Sequence, residues 1–87
     1  MANPTRPTPG NYRVTKTNPS PTTTAVYPIM QSGFHIPGFG VLPWVQDGEG
    51  DGNGHYEKDP LAITFYDDGT FAGSWGSDPY TGTWGSA

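Results

Sequence analysis

The clearest hydrophobic pattern lies near the C-terminus, where Leu61, Ile63 and Phe65 alternate with Ala62, Thr64 and Tyr66. Period two marks a strand with one buried face. Asp67-Asp68-Gly69 follows, which is hairpin-turn chemistry. A two-residue turn at Asp68-Gly69 splits the large apolar groups between both faces. A three-residue loop, with Gly69 in the left-handed conformation, pairs Phe65 with Phe71, Ile63 with Gly73 and Leu61 with Trp75. That register puts every large apolar group on one face, so it is the register expected. A four-residue loop at Gly76-Ser77-Asp78-Pro79 then pairs Trp75 with Tyr80, Gly73 with Gly82 and Phe71 with Trp84. The pattern thus predicts a three-stranded antiparallel meander (61–66, 70–75, 80–84) with an aromatic face of Phe65, Phe71, Trp75, Tyr80 and Trp84.

Upstream, prolines dominate. Pro4, Pro7, Pro9, Pro19 and Pro21 remove backbone donors and push their predecessors toward extended geometry. Residues 1–24 therefore read as an extended Pro/Thr-rich arm, able to span ~70 Å. Only Tyr12-Arg13-Val14-Thr15-Lys16 has strand character there, suited to a sheet edge. Residues 25–46 are an apolar middle broken by Pro28, Pro37 and Pro43, read as two short strands or irregular packing segments. The fold class expected is mostly β with extensive irregular structure and no significant helix. It divides into an arm (1–24) and a small β domain (25–87) carrying an acidic glycine-rich loop (47–54).

The run Asp68-Gly69-Thr70-Phe71-x-Gly73-x-Trp75, with the later Gly82-Thr83-Trp84, resembles the hairpins of many small β-barrel and lipocalin-like domains. The resemblance covers about 20 residues and implies shared hairpin chemistry. A chain this short and proline-rich is not expected to supply eight barrel strands.

Composition sharpens the need for partners. Leu, Ile, Val and Phe total 13 of 87 residues, under the ~20% associated with disorder. There are no cysteines, so no disulfide or thiolate metal site can brace the fold. Arg6, Arg13 and Lys16 precede every acid, whereas all eight acids lie from Asp47 onward, opposed by Lys58 alone. The arm is basic and the body acidic. Three dispersed charges do not make a nucleic-acid arm, the Met-Ala-Asn-Pro start lacks the form of a signal peptide, and no stretch approaches the ~20 apolar residues of a membrane span. Neither nucleic acid nor membrane is expected as a partner.

Candidate chemistry is sparse. Asp47, Glu49, Asp51 and Asn53 are oxygen donors at alternate positions separated by glycines, a device of Ca²⁺ loops. Gly52 matches the glycine of an EF-hand loop, but Lys58 stands where the final glutamate belongs. A flexible acidic loop is the competing reading, and beyond a possible Ca²⁺ no cofactor is expected. His35 and His55 have no cysteine or second histidine beside them. Asp67 and Asp68 are explained by turn chemistry. No catalytic triad, phosphate loop or dinucleotide fingerprint is present, so an enzyme is not expected.

Ordering a 24-residue arm costs on the order of 25–50 kcal/mol of backbone entropy, so neighbouring chains are expected to hold it. The leading reading is a structural protein of a large assembly: a bacteriophage or virus capsid decoration (cement) protein, or another minor virion protein. It is assembled in the host cytoplasm and clamps neighbouring coat subunits, with further contacts between its own copies. Tyr12, Arg13, Val14 and Lys16 of the arm, Tyr27, Phe34, Phe39 and Trp44 of the middle, and Phe71, Trp75, Tyr80 and Trp84 of the meander are the interface residues expected. The alternative is an extracellular carbohydrate- or Ca²⁺-dependent binding module using the aromatic face. A lipocalin-like carrier is a third reading, which needs more strands than the pattern shows.

Overall fold

Nine antiparallel strands account for most of the chain in the computed structural model, which describes residues 3–49 and 52–87. They are β1 (Gly10–Asn18), β2 (Thr23–Met30), β3 (Gly33–Ile36), β4 (Gly40–Leu42), β5 (Trp44–Gln46), β6 (Gly54–Lys58), β7 (Leu61–Phe65), β8 (Thr70–Trp75) and β9 (Asp78–Ser86). Their order in the sheet is β4-β3-β2-β1-β9-β8-β7-β6-β5. The two edges, β4 and β5, are consecutive in the chain and separated only by Pro43. Pro43 breaks the ladder, so the first half of this segment pairs with β3 and the second half with β6. Glu57 N also donates to Pro43 O across the break (3.2 Å). The sheet therefore curls into a nearly closed up-and-down barrel, an architecture that removes most of the exposed edge.

This corrects the expectation of an extended arm plus a three-stranded meander. Gly10–Asn18 is proline-free, and its Tyr12 and Val14 alternate with Arg13 and Thr15, so the run makes a full strand. It is not an edge. β1 sits between β2 and β9, with Val14 opposite Ala25 on one side and Trp84 on the other. The partners that the arm needs are supplied by its own chain. The prolines bound the strands instead of forbidding them: Pro4, Pro7 and Pro9 precede β1, and Pro19 and Pro21 occupy the β1–β2 loop. Pro28 lies within β2, but β2 bonds β3 only at Ile29–Phe34 and Met30–Gly33. Its missing donor costs no ladder bond on that side.

The β7–β8 hairpin has the register expected, with Leu61 opposite Trp75, Ile63 opposite Gly73 and Phe65 opposite Phe71. Gly69 takes φ +87° in its turn, and Asp68 Oδ1 accepts from Thr70 N (3.0 Å) and Thr70 Oγ1 (2.6 Å). The β8–β9 turn differs. It is the two-residue Gly76-Ser77, so Trp75 faces Asp78, Gly73 faces Tyr80 and Phe71 faces Gly82. A shift of two residues keeps the same face inward. It also sets large rings opposite glycines: a Cβ on Gly73 would lie 2.8 Å from the Tyr80 ring, and one on Gly82 would lie 2.8 Å from the Phe71 ring. The aromatic face is the barrel interior.

That interior holds Tyr12, Val14, Ile29, Phe34, Leu42, Tyr56, Leu61, Ile63, Phe65 and Phe71, all buried. Phe34, Tyr56 and Phe65 pack mutually, with centroid separations of 5.5–6.1 Å, and such aromatic pairs add ~0.5–1.5 kcal/mol beyond burial. The scarcity of aliphatic residues is offset by aromatic volume. No helix among the described residues is long and apolar enough to cross a membrane.

The two ends of the barrel differ. At one end, segment 3–9 runs across the opening. Thr5 N donates to Phe65 O (2.8 Å) and Asp67 N to Asn3 O (2.9 Å) on the β7 side. Pro7 is buried, the Arg6 guanidinium lies 5.1 Å from the centre of the Trp44 ring, and Arg6 Nη2 reaches Gln31 O on the far side. This is the plugged end. The opposite end, ringed by the β1–β2, β3–β4, β6–β7 and β8–β9 turns, has no such segment across it among the described residues.

Candidate ligand cavity

A cavity of about 310 Å³ enters the barrel from its open end. It exists because β2 and β3 part company beyond Ile29. The strand run Thr23–Pro28 stays with β1, while Phe34–Ile36 turns toward β4. One wall is the inward side of β1 and β2: Val14, Lys16, Thr23, Ala25 and Tyr27. Facing it are Phe34 and Ile36 of β3, Leu61 and Ile63 of β7, and Phe71, Trp75 and Tyr80 of β8 and β9.

Each of these side chains is inward by strand alternation. Tyr12-Val14-Lys16 is an inward row on β1 whose third member arrives at the rim, and there Lys16 Nζ donates to Pro19 O (2.9 Å). Leu61 and Trp75 are cross-strand partners at the rim. Trp75 leans over the opening and stays 47% exposed, with Phe39 of the β3–β4 turn against it at 5.3 Å. The Lys58 ammonium lies 5.6 Å from the centre of the Phe39 ring.

The walls are apolar and aromatic, and their polar groups are few: the Lys16 ammonium, the hydroxyl of Thr23, and the phenols of Tyr27 and Tyr80. Burial raises the Tyr80 pKa, and the neighbouring Tyr27 phenol adds to the rise, so the Tyr80 hydroxyl stays a donor across the neutral range. An apolar cavity with a few convergent polar groups is the usual form of a small-molecule site, and eight-position barrels are wide enough for one such ligand.

The interface residues expected from the sequence fall mostly inside. Tyr12, Val14, Phe34 and Phe71 are core, and Tyr27, Phe39, Trp44, Tyr80 and Trp84 pack against it. Arg13 is exposed on the outer face, and Lys16 and Trp75 are at the rim. The expected cation ligands Asp47, Glu49 and Asn53 lie together, with Asp47 N donating to Asn53 O (2.8 Å), but their polar groups are engaged within the chain. Asp47 Oδ2 is bonded to His55, the Glu49 carbonyl accepts from the Asn53 amide, and Asp51 lies outside the described residues. Among the described residues no group of three or more His, Asp or Glu is arranged to hold a metal ion.

His55 forms a different device. When protonated, its Nδ1 donates to Asp47 Oδ2 (2.5 Å) and its Nε2 to Glu57 Oε1 (2.8 Å). Burial disfavours the imidazolium, but the hydrogen bonds and charges of Glu57 and Asp47 outweigh it, so the pKa rises above its ordinary 6.5.

Sequence reasoning missed Thr23, Ala25, Ile36, Leu61 and Ile63 as cavity wall. For β2 the signal was present: Ala25, Tyr27 and Ile29 alternate, and Pro28 falls on the outward position. Comparison with protein-family models, with curated proteins and with solved structures finds no match for this chain.

Proposed function

We propose that this protein is a non-enzymatic binding barrel that takes a small apolar ligand through its open end. The observation that carries the reading is the cavity itself: about 310 Å³, walled by Val14, Phe34, Ile63 and Phe71. An apolar cavity of ~150 Å³ stays dry and binds benzene, so twice that volume suits a body of about two rings. The polar groups on the walls can orient a ligand. They include no nucleophile paired with a base, which favours binding over chemistry.

The test is titration with a neutral bicyclic arene, 2-naphthamide, read by tryptophan fluorescence and by amide shifts of cavity residues. Saturable one-to-one binding is expected. Ala25→Phe, which fills the cavity from its wall, should abolish binding, and Val26→Thr on the outer face should leave it unchanged. Shifts spread over the outer face, or binding insensitive to Ala25→Phe, would refute the reading.

A second reading, a structural role in a virion or other assembly, draws support from the outer face of β2, β4 and β5. Val26 and Met30 of β2, and Val41 and Val45 of β4 and β5, are exposed there, with β3 between the two groups, and apolar side chains facing water suit a protein partner. The argument from an unpartnered arm no longer supports it, because β1 is paired on both sides within the chain.

A further inference from the structure

We infer that the ligand of the cavity is an amphipathic anion, an apolar body of about two rings bearing one carboxylate or sulfonate that is held at the rim by Lys16. This rests on the binding-barrel reading above and adds the chemical class.

Among the described residues, Lys16 is the only charged one on the cavity wall. Three features make its place on the wall specific. First, it occupies an inward strand position, the third in the row Tyr12-Val14-Lys16, where a chain seeking only a packed interior would carry an apolar residue. Second, its ammonium is held at the rim by a bond to Pro19 O. One backbone carbonyl satisfies one of three ammonium donors, which leaves donors for a ligand. Third, no carboxylate of the open end pairs with it among the described residues, although Asp78, opposite Trp75, shares the inward face. Asp59 belongs to the β6–β7 turn and Asp78 to the start of β9, neither lines the cavity, and Lys16 makes no ion pair among the described residues. An anion entering with its apolar body among Phe34, Ile63 and Phe71 would bring its charged group to the level of Lys16. A neutral ligand of the same shape would gain nothing there, and a cation would meet like charge. Close to an apolar wall an ion pair is screened less than in bulk water, and a charge-assisted hydrogen bond is roughly twice as strong as a neutral one.

The experiment compares 2-naphthoate with 2-naphthamide, two probes of the same size that differ in charge, on the full chain. In the native protein naphthoate should bind at least tenfold more tightly, with an affinity that falls as salt rises. Lys16→Gln should remove that preference and leave naphthamide binding within twofold. Lys16→Arg should keep the preference, which guards against reading a general loss of structure as a loss of charge. Equal affinities of the two probes in the native protein overturn the inference and leave the cavity reading standing. So does a Lys16→Gln protein that keeps the preference. Binding of neither probe overturns both.

Discussion

At the scale of single residues, the interior is tuned by where small and polar groups are tolerated. Gly82 faces inward between Tyr80 and Trp84, and a Cβ there would meet the carbonyl of Thr15 and the Phe71 ring. No side chain fits without parting β1 from β9. Tyr56 is the opposite case. It is among the largest fully buried side chains, and its hydroxyl has no hydrogen-bond partner. Burial raises its pKa, and the Arg6 guanidinium, by hydrogen bonding and by charge, opposes the rise, so the phenol is neutral, with Arg6 close by but outside good hydrogen-bonding geometry. A buried polar group without a partner costs about 1–3 kcal/mol. Tyr56→Phe removes that cost and keeps the ring contacts with Phe34, Trp44 and Phe65. Chemical denaturation should show the variant to be as stable as the parent or up to ~1 kcal/mol more stable. A loss of 1 kcal/mol or more would mean that the hydroxyl is satisfied in solution.

At the scale of elements, hairpins were readable where turn chemistry and alternation agreed. Leu61–Phe65, Asp67-Asp68-Gly69 and Thr70–Trp75 specified the register because a one-residue slip splits the large apolar groups between both faces. The β8–β9 turn was not readable, since a two-residue and a four-residue loop both keep Trp75 and Tyr80 on the inner face. Only the fit of the Tyr80 ring over Gly73, a contact between strands, decides between them. The first strands were obscured by prolines that lie at their ends or, for Pro28, at a position with no ladder partner toward β3. The cavity was illegible for a related reason: it depends on β2 and β3 diverging, which no local pattern records. His55 holds Asp47, just after β5, at the plugged end. Because the folded-state pKa of His55 is raised, its contribution to stability is full below pH 6.5, the value for the unfolded chain. That contribution is lost as pH rises through the folded value. Thermal unfolding should therefore show a decline in stability above pH 6.5 that is absent in His55→Asn. The same decline in that variant would assign it to other groups.

At the scale of the whole molecule, closure is a long-range event. β1 and β9, from opposite ends of the sequence, pair from Tyr12–Ser86 to Asn18–Thr81, and Ala87 N donates to Asn11 O (3.0 Å). Pairing at such separation incurs its loop entropy before the contacts form, so folding should be slow for a chain of this size. It also places β1 deep in the cooperative unit. Hydrogen exchange should find the β1 amides between Tyr12 and Lys16 among the slowest in an isolated, monomeric chain. Fast exchange there, with protection only after oligomerisation, would restore the idea of an arm ordered by neighbours. The resulting particle measures 35 × 31 × 28 Å.

The plug has a consequence for orientation. Asn3 lies against Asp67 and Ala87 against Asn11, so both described termini emerge at the same pole of the barrel, and the rim of Lys16 and Trp75 is at the other. Anything joined to either terminus, whether a tether, a tag or a surface, leaves the mouth pointing outward. The barrel can be mounted from behind without obstructing what enters it.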